Sequence, residues 1–144
     1  MIVFFDTSVL IAATVAAHPK HSSCLPWLQK AKNKEIDAFI SVHSLLETYS
    51  VLTTLPLSPR INPLLALTLI KENIISCFTL ITYNAGDYKK ILDDAAMSGI
   101  NGGSVYDALI AAAAGRSKAD IILTLNVNDF LRVSPLLVKL ITQL

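Results

Sequence analysis

Residues 2–17 read IVFFDTSVLIAATVAA, and this stretch decides the fold class. The β-branched and aromatic run from Ile2 to Phe5 is typical of a buried strand, and Asp6-Thr7-Ser8 then opens an apolar helix. The same order of a short apolar run followed by a helical pattern recurs along the chain. Strands that alternate with helices predict a parallel sheet with right-handed crossovers and helices on both faces.

The remaining elements follow from the same patterns. The predicted strands are residues 2–5, 37–41, 77–82 and 121–124, with 137–141 as a possible last strand. The predicted helices are about 6–17, 22–34, 44–55, 63–73, 84–97, 104–118 and one that begins at 126. We therefore expect a single three-layer α/β/α domain over residues 1–144, with a central parallel sheet of four or five strands.

Composition limits the class of protein. A chain of 144 residues is long enough to bury roughly 70% of its unfolded surface, so its fold needs no disulfide or structural metal. A hydrophobic content of 53% with only 16% charged residues excludes a disordered chain. Asp6 interrupts the N-terminal apolar run and no Lys or Arg precedes it, which argues against a signal peptide. No apolar run is long enough for a membrane span, and two cysteines make no disulfide framework, so we expect a reduced, cytoplasmic protein.

Four acidic residues lie where a strand gives way to a helix or where a helix begins: Asp6, Glu47, Asp107 and Asp129. In a parallel α/β protein these junctions meet in the crevice beyond the carboxyl ends of the strands. Carboxylates that share one crevice repel each other, and hard oxygen ligands select Mg²⁺ or Mn²⁺. Such an ion activates water and neutralises phosphate charge, so the pattern indicates metal-dependent phosphodiester hydrolysis.

Each acid also has a purely structural explanation as a helix cap. Asp6 directly precedes a helix and could cap it. Three more acids lie at or near capping-box spacing, in Ser44-x-x-Glu47, Ser104-x-x-Asp107 and Asn126-x-x-Asp129. Asp87 is a useful comparison, because it lies three residues after Asn84 at another helix start, and we assign it to capping alone.

The net charge of +1 gives weak guidance about partners. Without the four candidate site acids, 12 basic residues face 7 acidic ones, a balance of +5. A modestly basic body around an acidic pocket fits a nuclease, although it fits many unrelated proteins as well.

Four motifs in succession resemble those of PIN-domain ribonucleases, and most closely the VapC-type toxins of toxin–antitoxin pairs. The motifs are Val3-Phe-Phe-Asp-Thr-Ser-Val-Leu, Ser44-Leu-Leu-Glu, Gly102-Gly-Ser-Val-Tyr-Asp-Ala-Leu-Ile-Ala-Ala-Ala-Ala and Thr124-Leu-Asn-Val-Asn-Asp-Phe. The resemblance runs from Met1 to about Ser134, nearly the whole chain, and it implies a PIN-like fold.

The resemblance implies roles for particular residues. Asp6 and Asp107 would be the principal metal ligands, and Glu47 and Asp129 would complete the acidic quartet directly or through water. Thr7, Thr124 and Asn126 would support the ligands or orient a phosphate. The family further implies Mg²⁺- or Mn²⁺-dependent endonucleolytic cleavage of RNA, a homodimer and a cognate antitoxin. Where some members carry an extra acid, this chain has Asn126 and Asn128, so the fourth acid is Asp129 alone.

Other interpretations stay open at this point. A PIN-like module could hold RNA or a protein partner without cutting it. Phosphoryl transfer on a receiver or haloacid-dehalogenase-like fold is disfavoured, because no Lys ends a predicted strand. His18, His21 and Cys24 have spacing that could suit zinc, but no fourth ligand accompanies them, so we expect a surface loop and helix cap there.

Overall fold

Five parallel strands form the centre of the molecule, in the order β3-β2-β1-β4-β5. The computed structural model describes residues 1–144, apart from the side chain of Gln143. The strands are β1 (Ile2–Phe5), β2 (Asp37–Ser41), β3 (Thr79–Ile81), β4 (Ile121–Thr124) and β5 (Ile141–Gln143). The helices are α1 (Thr7–Thr14), α2 (His21–Lys32), α3 (His43–Thr54), α4 (Pro63–Ile70), α5 (Ala85–Met97), α6 (Ser104–Ser117) and α7 (Val127–Val133). The predicted α/β/α fold with a parallel sheet is confirmed.

The strand order reverses at β1. From β1 the chain adds β2 and β3 on one side and then crosses back to add β4 and β5 on the other. Phe4 of β1 is paired with Phe39 of β2 and with Ile122 of β4, so β1 is hydrogen-bonded on both edges. Since the connections leave in opposite directions here, a crevice opens beyond the carboxyl ends of β1 and β4.

Alternate side chains of β1 enter two different cores. Val3 and Phe5 pack into a cluster with α1, α2 and α4, whereas Phe4 packs into a second cluster with α6 and Phe130 of α7. All three β1 side chains are completely buried. Successive side chains of β1 point to opposite faces of the sheet, and both faces are covered. Residues 2–5 are therefore all apolar instead of alternating between apolar and polar.

Two predicted boundaries were wrong. The first helix was expected to reach Ala17, but it ends at Thr14 because Val15 adopts an extended conformation. A carbonyl oxygen in the last turn of this helix is paired with a side chain instead, since Nδ1 of His21 lies 2.9 Å from Ala12 O. The last strand was expected at 137–141, yet Pro135–Leu140 forms a 3₁₀-helix and the strand begins at Ile141. Leu137 and Leu140 instead pack against the core around α6, which accounts for their apolar pattern.

The ends of two other elements differ from the predicted ones. The fourth helix continues beyond Ile70 as a π-helical turn over Lys71–Ile75, and β3 is shorter than the predicted 77–82. Within the part of the chain that the structure describes, no helix has both the length and the apolarity needed to cross a membrane.

Candidate active site

The four predicted acids line one cavity of about 190 Å³ beyond the carboxyl ends of β1 and β4. Asp6 follows β1, Glu47 comes from α3, Asp107 from the first turn of α6, and Asp129 from α7. The cavity also takes in Thr7, Ser8 and Asn126, with an apolar wall of Ile11, Val51, Ile110 and Phe130. The four acids, which are up to 123 positions apart in sequence, therefore meet because of the sheet topology.

Asp6 is the most firmly fixed of these acids. Its side chain is only 8% exposed and accepts three hydrogen bonds, from Thr7 N at 2.8 Å, Ser8 Oγ at 2.6 Å and Thr124 Oγ1 at 2.8 Å. The bond from Thr124 joins β4 to the end of β1 across the switch in strand order. Both carboxylate oxygens are thus held in one orientation before any ligand binds.

Glu47 is connected to Asp6 through the intervening Thr7. The Thr7 hydroxyl lies 3.1 Å from Glu47 Oε1 and 2.9 Å from Ser44 Oγ, and both Thr7 and Ser44 are buried. His43 lies one turn before Glu47 on the same face of α3, with Nε2 3.7 Å from Oε1. This network fixes the first turn of α3 against the first turn of α1.

Asp107 and Asp129 form the opposite side of the cavity. A left-handed turn at Gly102, where φ is +56°, precedes α6 and brings Asp107 to the crevice; that φ is unfavourable for residues with a Cβ. Arg132 spans the gap between the two helices, with Nη1 3.6 Å from Asp129 Oδ1 and 3.2 Å from Ser104 Oγ. Among the described residues, this guanidinium and the ring of His43 are the basic groups that contact the acidic cavity.

The structure separates capping acids from cavity acids. At the start of α5, Asn84 and Asp87 form a reciprocal capping box, as expected for that acid. The capping boxes suggested for Ser44, Ser104 and Asn126 are wrong. The N-cap residues of α3 and α6 are Val42 and Gly103, one residue or more before the expected caps. Asn126 is the N-cap of α7, but its side chain makes no cap hydrogen bond. Asp6 does contact the first amide of α1, so for this residue alone capping and a cavity position coexist.

The supporting residues named from the resemblance lie where they contact the acids or the cavity. Thr124, completely buried, donates to Asp6 and accepts a 2.9 Å bond from Asn126 N, and Asn126 itself lines the cavity. Two residues in this network were missed. Ser8 donates to Asp6 and accepts from Leu125 N, and Ser44 contacts Thr7. The polar run Asp6-Thr7-Ser8 directly after an apolar strand was the available signal for Ser8, whereas Ser44 was interpreted only as a cap.

Electrostatics at the cavity disfavour ionised carboxyls in the absence of a cation. Burial raises the pKa of Asp6 above its usual range, and the hydrogen bonds that it accepts only partly oppose this. Burial also raises the pKa of Glu47, opposed by His43. Burial first, and then repulsion by Asp129 and Asp6, raises the pKa of Asp107. The negative charges of these carboxylates therefore repel one another. Binding of a cation would relieve this repulsion, as is common at acidic functional sites.

The donor set fits a hard divalent cation. Carboxylate oxygens from several elements line one small cavity, which suits Mg²⁺ or Mn²⁺ better than a soft metal. Among the described residues, no three His, Cys, Asp or Glu side chains converge closely enough to hold an ion by themselves. That geometry is compatible with Mg²⁺, because this ion usually keeps several waters and takes only one or two carboxylates directly.

His18, His21 and Cys24 do not form a zinc site in the described structure. His18 Nδ1 accepts from Lys20 N, His21 contacts the end of α1, and Cys24 is completely buried in the core. The expected loop covers only the residues before α2, because His21 and Cys24 belong to this helix, and the expected cap is wrong, because no side chain caps the helix start.

The raised carboxyl pKa values predict an unusual dependence of stability on pH. A carboxyl whose folded pKa lies above its unfolded value binds protons more tightly in the folded state, so this contribution is full below the unfolded pKa and is lost as pH rises through the folded pKa. For Asp6, Glu47 and Asp107 we expect the metal-free protein to lose stability as pH rises from about 4 toward neutrality.

The measurement is the thermal midpoint in a chelator across that pH range, for the wild type and Asp107→Asn. The variant lacks one titrating group and should show a shallower decline. Equal slopes for the two proteins would contradict the assignment of a raised pKa to Asp107.

Comparison with known proteins identifies the family of the chain. The family model of the PIN domain matches residues 3–134. Two proteins of Mycobacterium tuberculosis are similar to the chain: ribonuclease VapC27 at 35% identity, covering 81% of this chain and 79% of the relative, and ribonuclease VapC40 at 31% identity, covering 81% of each. A crystal structure of VapBC2 from Rickettsia felis bound to a promoter DNA fragment matches at a TM-score of 0.65 and 20% identity, covering 100% of this chain and 99% of that one. The chain therefore belongs to the PIN-domain family, in which its relatives are VapC-type ribonucleases.

Proposed function

We propose that the protein is an endoribonuclease, a hydrolase of RNA phosphodiester bonds, and that it acts as the toxin of a toxin–antitoxin pair. The observation that carries the proposal is the convergence of Asp6, Glu47, Asp107 and Asp129 on one cavity at the switch in strand order. The names of the relatives, ribonucleases VapC27 and VapC40, support the same activity.

In this proposal the residues divide into ligands and supports. Asp6 and Asp107 would be the principal ligands of Mg²⁺ or Mn²⁺, and Glu47 and Asp129 would complete the site directly or through water. When bound, the ion supplies positive charge beside the scissile phosphate and makes a water molecule more acidic. Hydrolysis then needs no Ser, Cys or His nucleophile from the protein.

The polar residues around the four acids determine how precisely the carboxylates are held. Thr124 and Ser8 keep the Asp6 carboxylate in place through two hydroxyl hydrogen bonds, and Thr7 orients Glu47. Asn126 lines the cavity and carries an amide that can donate to a phosphate oxygen. Because these groups are fixed by the fold, little reorganisation is needed when charge develops on the phosphate.

The test is cleavage of total cellular RNA by the purified protein with Mg²⁺ or Mn²⁺, beside a chelator control. We expect discrete cuts that need the divalent ion, because the carboxylates of the cavity repel a phosphate unless a cation neutralises their negative charge. Cleavage that persists in the chelator would contradict the metal-dependent site. A folded wild type that cuts no RNA would favour the alternative, a PIN-like module that binds RNA or a protein without cutting it.

We also propose a cognate antitoxin partner and a homodimer. The similar structure from Rickettsia felis is of VapBC2 bound to promoter DNA, which supports a partner of this kind. Several large apolar side chains are exposed on the neighbouring helices α3 and α4, including Leu46, Leu64 and Leu65. Such surface is typical of interfaces. We expect light scattering to give the mass of two chains, and the mass of one chain would contradict the dimer.

A further inference from the structure

A stacked pair of aromatic rings borders the acidic cavity. His43 in the first turn of α3 and Tyr106 in the first turn of α6 lie with ring centroids 5.6 Å apart and planes at 8°. Each ring belongs to a residue next to a cavity acid: His43 Nε2 is 3.7 Å from Glu47 Oε1, and Tyr106 directly precedes Asp107. The two rings therefore join the first turns of α3 and α6, the helices that carry the cavity acids Glu47 and Asp107.

The fold holds this pair in place. The backbone amide of His43 donates to Ser41 Oγ at 3.1 Å, and Ser41 Oγ lies 2.8 Å from the hydroxyl of Tyr83. That hydroxyl donates to the carbonyl oxygen of Leu109 in α6 at 2.7 Å. A continuous chain of hydrogen bonds thus links the start of α3 to the body of α6, independently of the ring contact. The stacked rings are consequently a preorganised surface.

Tyr106 has no evident role in the core. Its side chain is 56% exposed, and its hydroxyl has no hydrogen-bond partner among the described residues. The ring stacks on His43, which itself contacts the cavity acid Glu47, and more than half of the Tyr106 side chain stays exposed. A large exposed ring that is backed by a second ring, next to a site for a phosphodiester, resembles the platforms on which proteins stack unpaired nucleobases.

The cavity itself is unsuited to a nucleobase. Its volume is about 190 Å³, and carboxylates from four elements line it, so it suits a cation, water and phosphate oxygens. The base attached to the scissile phosphate must therefore lie outside the cavity, at its rim. The aromatic pair supplies a flat contact next to the cavity acids.

We infer that Tyr106, backed by His43, stacks one nucleobase of single-stranded RNA beside the scissile phosphate. The inference deepens the proposed ribonuclease function and rests on it. In a duplex the base is stacked on its neighbours and is not free to contact the ring, so the platform selects unpaired substrate. Stacking tolerates any base, so this contact restricts the shape of the substrate more than its sequence.

The experiment pairs a change in the protein with a change in the RNA. A short single-stranded oligonucleotide spanning a cut site mapped in total RNA is compared with copies that carry an abasic nucleotide on either side of the scissile phosphate. Wild type, Tyr106→Leu and Tyr106→Phe are assayed for kcat/KM, and the same oligonucleotides are titrated in chelator to obtain Kd. Tyr88→Leu is the matched control, because Tyr88 is a tyrosine with 49% exposure whose ring lies against Tyr83 on α5's side of the molecule and not against His43.

We expect Tyr106→Leu to lower kcat/KM on the intact oligonucleotide by about 5- to 150-fold, the range for one base–aromatic stack. Tyr106→Phe keeps the ring and should restore most of the kcat/KM that Tyr106→Leu loses, and Tyr88→Leu should remain near wild type. At one of the two abasic positions, the difference between wild type and Tyr106→Leu should disappear, which a merely structural role of Tyr106 would not produce.

An equal loss for Tyr106→Leu on intact and both abasic oligonucleotides would overturn the stacking role while leaving the ribonuclease function in place. If the wild type neither cuts nor binds RNA, the proposed function fails and this inference fails with it.

Discussion

Asp107→Asn is expected to abolish RNA cleavage while leaving the fold intact. The substitution keeps the size of the side chain and removes the charge from the first turn of α6, where Asp107 faces the cavity opposite Asp6 and Glu47. We expect the rate to fall by about 10²–10³-fold or more, as for removal of one preorganised electrostatic group from an active site. The measurement is the rate of cleavage of total RNA with Mg²⁺ or Mn²⁺.

The Asp107→Asn variant should keep or gain thermal stability although it loses activity. Burial and repulsion by Asp129 and Asp6 disfavour the ionised form of Asp107, which raises its pKa. A neutral Asn removes this unfavourable charge, so the thermal midpoint in a chelator should be equal to or higher than that of the wild type at neutral pH. This combination of lost activity and retained stability is typical of a residue kept for function.

Asp87→Asn is the matched control for this variant. Asp87 also lies in the first turn of a helix, three residues after its N-cap, but it completes a capping box and contacts Arg116 with an Oδ2–Nη2 distance of 2.9 Å. We expect its loss to leave cleavage unchanged. Full activity in Asp107→Asn, or equal losses in both variants, would refute the assignment of Asp107 to the site.

Thr124→Val is the second substitution with a large expected effect. Valine has nearly the same shape but lacks the hydroxyl that donates to Asp6 Oδ2 and accepts from Asn126 N. Because position 124 is completely buried, water cannot replace these bonds. We expect a loss of about 10- to 100-fold in activity or metal affinity, as for other groups that orient a ligand, and a stability cost of about 1–3 kcal/mol.

Thr124→Ser separates orientation from packing. Serine keeps the hydroxyl and loses only a methyl group, so it should restore most of the activity that Thr124→Val loses. The relevant measurements are kcat/KM at saturating Mn²⁺ and the midpoint of the Mn²⁺ titration. Wild-type values for Thr124→Val would show that the hydroxyl does not position Asp6.

Much of the fold was available from local patterns. Residues 2–5 are apolar throughout because β1 is covered on both faces, and the alternation of such runs with helices predicted the parallel sheet. The ends of elements were less predictable. The apolar run 137–141 suits a strand by composition, yet packing against α6 makes most of it a 3₁₀-helix and shifts β5 to begin at Ile141.

The sequence by itself determined which residues are chemically able to form the site and that they lie at strand and helix ends. Capping-box spacing alone does not distinguish Asp87 from Asp107, since both lie three residues after a polar residue at a helix start; assigning Asp87 to capping and Asp107 to the site was a prediction about the tertiary fold. Tertiary structure decided between them. The reversal of strand order at β1 brings the start of α6 to the crevice beside Asp6, whereas α5 begins beyond the edge strand β3 and its acid turns back to its own helix. Helix capping is a local interaction that spacing can encode, but the meeting of distant carboxylates depends on the order in which strands pair.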